Sequence, residues 1–146
     1  MEIDSHTLRK ADEKQAIEAA FARDSWVVIG LEDDPANVAL DTALALIRSG
    51  RKPHLICPRC SMDEADLFQI RPHVSLLDID EDVEVIYLVG EIDLWDALRE
   101  ISMRMERFGD IKVVWAGSGL ADERWAEDLH DFGFAVIMDT DVRTHL

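Results

Sequence analysis

Ser25-Trp26-Val27-Val28-Ile29-Gly30 is an apolar run of strand length closed by a glycine. A strand with one wet face alternates apolar and polar residues, and this one does not. The pattern is that of a strand buried on both sides, as in a parallel sheet covered by helices. Asp34-Pro35 then reads as an N-cap followed by proline at the first helical position. Val38, Leu40, Ala43, Leu44 and Ile47 carry that helix to a stop at Gly50. Pro53-His54-Leu55-Ile56-Cys57 is a second strand, ended by Pro58. Strand, helix and strand in this order make a βαβ unit, whose crossover is right-handed.

The same rhythm extends in both directions. Residues 7–22 carry Leu8, Ala11, Ile17, Ala20 and Phe21 as a modest apolar stripe, predicting an opening helix with Thr7 as its cap. Ser61-Met62-Asp63-Glu64 has the spacing of a capping box for a short helix through Phe68, and a small strand is predicted over 74–77. Residues 83–89 form another apolar run. Ile92, Trp95, Leu98, Ile101, Met105 and Phe108 then recur at helical spacing up to Gly109. A strand over 111–116, a Gly117-Ser118-Gly119 turn, a helix over 122–132 and a last strand over 134–138 complete the series. The expected fold is α/β: a Rossmann-like three-layer αβα domain with a mostly parallel sheet of about five strands and an N-terminal helix. One domain is expected over 1–146, with the opening helix at 1–23, the α/β core at 24–139 and a tail at 140–146.

Of the 146 residues 48% are apolar, enough for a core that needs neither disulfides nor metal. Thirty-one acidic against 15 basic side chains leave a net charge of −16. That charge repels phosphate backbones and anionic lipid, so neither nucleic acid nor a membrane surface is an expected partner. The acidic start and the strand-sized apolar runs lack the form of a secretory signal or a span, and the expectation is a cytoplasmic protein. With only Cys57 and Cys60, three apart, reduced thiols are the default.

In such sheets ligands lie beyond the carboxyl ends of the strands, where the strand order reverses. The segments of interest are therefore 30–37, 57–61, 89–92 and 116–120. Gly30 allows close backbone approach, while Glu32-Asp33-Asp34 set carboxylates beside it. Arg59 follows the second strand without a nearby acid, the setting in which an arginine accepts a ribose phosphate. Cys57-Pro58-Arg59-Cys60 admits a thiol–disulfide reading, with Cys60 just ahead of a helix start; zinc lacks its remaining ligands. Gly117-Ser118-Gly119 lies between strand and helix but lacks the outer glycines of a nucleophile elbow, so no hydrolase is supported. Glu127 and His130 share a helix face without the second copy a di-iron site needs. His54, inside the second strand, reads as a hydrogen-bonded structural residue.

Taken in order, Val27-Val28-Ile29-Gly30-Leu31, Pro35, Ile56-Cys57-Pro58, Val74-Ser75-Leu76, Val83-Glu84-Val85-Ile86, Trp115 with Gly119, and Val136-Ile137-Met138-Asp139 resemble the small single-domain CoA-binding proteins. These are related to the nucleotide-binding domain of the succinyl-CoA synthetase alpha subunit. The resemblance spans residues 14–139, and it implies a Rossmann-like fold with a CoA or nucleotide cleft and, for most members, no known catalytic activity. Carried onto this chain, it assigns the cleft to Gly30, Leu31, Pro35, Asn37, Cys57, Pro58, Arg59, Gly90, Gly117, Ser118 and Gly119, with CoA as the implied cofactor. Where the family has a small or hydroxyl residue, an arginine and a serine, this chain has Glu32, Asn37 and Ala39. The family's Asn-Pro, Phe-Arg and closing Arg-Cys are here Cys57-Pro58, Val89-Gly90 and Thr140-Asp141. Three functions follow as alternatives: a non-catalytic CoA or nucleotide binder, a ligand-free relative serving interaction or assembly in a possible oligomer, and a thiol switch at Cys57 and Cys60.

Overall fold

The computed structural model describes residues 5–30, 38–57 and 62–146. In chain order the elements are α1 (Ser5–Phe21), β1 (Ser25–Gly30), α2 (Val38–Arg48), β2 (Lys52–Ile56), α3 (Glu64–Gln69), β3 (Arg71–His73), a 3-10 turn (Leu76–Asp78), β4 (Val85–Val89), α4 (Leu94–Arg107), β5 (Val113–Ala116), α5 (Glu123–Asp131), β6 (Ala135–Ile137) and a closing 3-10 turn (Val142–His145). The strands form one sheet in the order β3-β2-β1-β4-β5-β6, and every pairing is parallel. The expected three-layer Rossmann-like α/β domain is thus observed, with six strands in its sheet rather than about five.

β1 lies at the centre because it is apolar on both faces. Trp26 sits in register with Pro53 of β2 on one side and with Val85 of β4 on the other. Alternate residues divide between two cores, as the period of a strand requires. Trp26, Val28, Leu55, Val85, Tyr87, Val113, Trp115 and Ile137 pack on the side that holds Ala16 and Ala20 of α1 and Ala39, Leu40, Ala43 and Leu46 of α2. Val27, Ile29, Ile56, Ile86, Leu88, Val114, Ala116 and Val136 pack on the side of α4 and α5, against Leu94, Ala97, Ile101, Trp125, Ala126 and Leu129.

That winding leaves half of each face without a crossover helix. α1 covers one bare half, lying on β6 and β5, where the small side chains of Ala16 and Ala20 allow close approach. The other, over β1 and β2, is covered by the connection from β3 to β4, with Leu76, Ile79 and Val83 all at 0% exposure. Arg104 of α4, also at 0% exposure, holds this connection. Its guanidinium donates to the carbonyls of Leu76, Ile79 and Glu81 and to both carboxylate oxygens of Asp110. It also lies 4.3 Å from the ring centroid of Phe108.

Three expectations are corrected. The small strand lies at Arg71–His73; residues 76–78 form a 3-10 turn capped by Ser75, whose hydroxyl accepts from Leu77 N. Pro72 gives that stretch the appearance of a turn, and it is tolerated because β3 is an edge strand. The capping box of α3 is Asp63 with Asp66, not Ser61 with Glu64, since the helix starts at Glu64. α1 begins at Ser5, so Thr7 lies inside it rather than capping it. Within the apolar periodicity of α4, Trp95 and Phe108 are 40% and 37% exposed, while Trp125 of α5 is buried. The proposed start of α2 at Asp34-Pro35 lies outside the described residues.

The tail is packed rather than free. Val142 is fully buried and its N–H donates to the Tyr87 hydroxyl at 3.3 Å.

Candidate ligand site at the strand tips

The order 3-2-1-4-5-6 reverses between β1 and β4, and the tips of β1, β2, β4 and β5 therefore open on one side. Adjacent strands are about 4.8 Å apart, so β1 and β5 are separated by only about 10 Å. Of the residues assigned to the cleft from sequence, Gly30, Cys57, Gly90, Gly117, Ser118 and Gly119 end or follow these strands. Leu31, Pro35, Asn37, Pro58 and Arg59 lie outside the described residues, as do Glu32, Asp33 and Asp34.

Gly30 is dictated by space. A Cβ there would stand 2.6 Å from the Cβ of Ala39, 3.7 Å from Cys57 Sγ and 3.8 Å from Val89 Cγ1. The tips of β1, β2 and β4 and the start of α2 meet at this point. Cys57 is half-buried and disulfide-bonded. This corrects the expectation of reduced thiols: spacing too short for a structural bridge is the spacing of CxxC redox pairs. The chain's other cysteine, Cys60, lies outside the described residues.

The turn after β5 is built differently. At Gly117 a Cβ would meet Leu88 O at 2.8 Å and the Tyr87 hydroxyl at 2.9 Å, so β4 crowds it. Its N–H donates to Leu88 O. Ser118 and Gly119 are exposed, and Gly119 has φ 84° with nothing near its missing Cβ. Its N–H donates to Oδ1 of Asp139 at 2.7 Å, while Asp139 N donates to Leu120 O at 3.0 Å. Asp139 itself has φ 50°, the left-handed region that Asp and Asn enter more readily than most residues.

The helices that start at this end carry their own carboxylates. Asp93 accepts from Trp95 N and Asp96 N at the start of α4, and Asp122 accepts from Trp125 N at the start of α5. The Trp95 indole donates to the other oxygen of Asp122 at 3.2 Å, joining the two starts. Nearby, Asp141 accepts from Arg143, which holds its carboxyl below the usual carboxylate range. The Tyr87 hydroxyl is pushed up to about 12, chiefly by burial.

Chemically, the turns after β4 and β5 are acidic, and several of their amides are already engaged. Those of Trp95, Asp96, Gly117, Gly119 and Trp125 all have partners within the protein. The diphosphate of CoA, which needs free N–H donors or cations, does not fit the β5–β6 side as it stands. Gly30 is buried, with the place of its missing Cβ taken up by Ala39, whereas Gly90 is exposed beyond the tip of β4. Among the described residues no group of three or more His, Cys, Asp or Glu is arranged to hold a metal ion. No helix among them is long and apolar enough to cross a membrane.

Sequence reasoning passed over the roles of Asp139, Asp93 and Asp122. The signal for the caps was present, an Asp just ahead of each helix. His54 is hydrogen-bonded as expected: its Nδ1 lies 3.0 Å from Nε2 of His73, and its Nε2 is 3.7 Å from Glu81. Both imidazoles are held below the usual histidine value, mainly by burial. Glu127 and His130 are exposed on α5.

No family model matches the sequence, and no curated protein does. Solved structures share the fold. A redesigned form of the PH1109 protein, described as redesigned for binding, superposes with a TM-score of 0.70 at 18% identity, covering 90% of this chain and 87% of that one. The cell-free ID.343 protein from Thermus thermophilus gives 0.69 at 23% identity over 89% and 93%. A conserved hypothetical protein from Pyrococcus furiosus gives 0.64 at 17% identity over 85% and 100%. At these identities the likeness establishes the fold, a small Rossmann-like α/β domain, and nothing finer.

Proposed function

We propose that this protein is a non-catalytic binding module for a CoA-like or nucleotide ligand received beyond the tips of β1, β2 and β4. The observation that carries the reading is the meeting of Gly30, Cys57, Val89 and Ala39 at the point where strand order reverses. There the missing side chain lets the start of α2 pack onto the strand tips, so Gly30 shapes the floor of the region beyond them, and parallel sheets of this kind bind ligands at that point. The order of motifs shared with small CoA-binding proteins gives further support.

Thermal shift and isothermal titration with CoA, dephospho-CoA, ATP and NAD test it. A ligand present at a hundred times its Kd stabilises the fold by about 2.7 kcal/mol, a rise of about 5–10 °C in Tm for a domain of this size. Absence of a saturable shift with every one of these at millimolar concentration overturns the proposal.

A second reading, a thiol–disulfide switch, is favoured by the disulfide at Cys57. Under mild reduction it requires two reactive thiols that reclose on oxidation. A protein whose thiols stay open under mild oxidant is not such a switch.

A further inference from the structure

The β5–α5 turn would offer an anion two donors, the Gly119 amide and the Ser118 hydroxyl, both exposed at the open end of the sheet. The amide is not free. A carboxylate from 20 residues further along the chain, at the end of β6, sits on it at 2.7 Å. That carboxylate belongs to the one described non-glycine residue with positive φ, Asp139 at 50°. Asp139 is exposed, so water alone would satisfy it, yet its backbone takes up a rarely used conformation in which its side chain reaches Gly119. Its own amide is fixed on Leu120 O. The carboxylate thus lies where an incoming phosphate oxygen would accept a hydrogen bond from the turn.

We propose that Asp139 is an internal anion that competes with the diphosphate of the ligand for the Gly119 amide and so weakens the binding of phosphate-bearing ligands. This rests on the ligand reading above and deepens it. A ligand brings its less charged portion to the exposed Gly90 unopposed. Its diphosphate reaches the turn only when the Asp139 side chain swings away, and it then meets a like charge beside it. Ligands without phosphate are indifferent to this residue.

Titration calorimetry on the intact chain at low ionic strength tests it, comparing wild type with Asp139→Asn and Asp139→Gly. CoA, inorganic pyrophosphate and uncharged adenosine serve as probes. Asn keeps an acceptor oxygen and tolerates positive φ, while Gly keeps the backbone and removes the acceptor, so both preserve the turn. CoA and pyrophosphate are expected to bind Asp139→Gly about tenfold more tightly than wild type, equivalent to about 1.4 kcal/mol. Asp139→Asn falls between, and adenosine is unchanged across all three.

Equal CoA affinity in the three proteins overturns the competition and leaves the ligand site standing. Tightening of adenosine by the same factor as CoA also overturns it, since a general loosening of the turn would then be the cause. Binding of none of the probes to any of the three proteins removes the ligand reading and this inference together.

Discussion

Replacing Arg104 with methionine keeps a long unbranched stem in the core and removes the guanidinium. Three carbonyls, those of Leu76, Ile79 and Glu81, then lose their donor, and Asp110, whose side chain is only 9% exposed, loses its cation. Asp110 keeps one partner, the amide of Val83 at 2.8 Å. Breaking a buried pair from one side costs about 3–5 kcal/mol. Each orphaned buried carbonyl adds about 1 kcal/mol or more where water cannot reach it. These terms overlap, so the expected loss is about 4–5 kcal/mol, a large part of the ~5–15 kcal/mol that holds a domain together. Urea unfolding followed by circular dichroism reads it directly. Lysine, with three donors on a point charge, recovers only part of the loss because it cannot span both Asp110 oxygens and the carbonyls. Hydrogen exchange is expected to show the β3–β4 connection opening first in Arg104→Lys, before the strands of the sheet. A loss below about 1 kcal/mol for Arg104→Met would refute the view that this one side chain holds the β3–β4 connection in place.

Other outcomes follow from the same geometry. Gly30→Ala is expected to destabilise by about 1–3 kcal/mol through overpacking against Ala39, checked by thermal unfolding; a neutral result means α2 shifts freely. Gly119→Ala costs about 1–2 kcal/mol for a different reason, positive φ in open space, and Gly119→Asn should recover part of it in the same assay. For His54 and His73, burial and the adjoining Arg71 and Arg104 disfavour protonation, and Glu81 and Asp78 oppose this only in part. Their folded pKa values lie below the unfolded one, so the native state binds fewer protons. Their contribution to stability is present above the ordinary histidine value of about 6.5 and is lost as pH falls through and below it. His54→Gln with His73→Gln should flatten that dependence in urea titrations between pH 7.5 and pH 5, a range flagged by the about 6.5 midpoint of free histidine. An unchanged slope counts against the pair.

The layered architecture could be read from the chain because its signals are redundant. Trp26 to Ile29, the 85–89 run and the 113–116 run are each apolar on both faces, and the helical stripes between them leave a parallel sheet as the simple arrangement. β3 is hard to read from the chain because Pro72 looks like a stop, and only its edge position makes it acceptable. Arg104 was invisible because apolar periodicity reads a charged residue as surface, whereas its burial depends on carbonyls far along the chain. The site was legible only as strand ends. Asp139 escaped notice because its partner, Gly119, comes near only once β5 and β6 pair, and a 20-residue separation leaves no periodic trace.

Phe21, the last residue of α1, touches two indoles at once, with ring centroids 5.8 Å from Trp26 and 5.7 Å from Trp115. Those indoles are themselves 6.1 Å apart, fully buried, and donate to Arg23 O and Thr140 O. The chain thereby carries its own optical gauge of whether the opening helix is seated. Lifting α1 off β5 and β6 wets both indoles, moving their emission to longer wavelength without any attached dye, and excitonic coupling between the rings should fade from the near-ultraviolet dichroism as it does so.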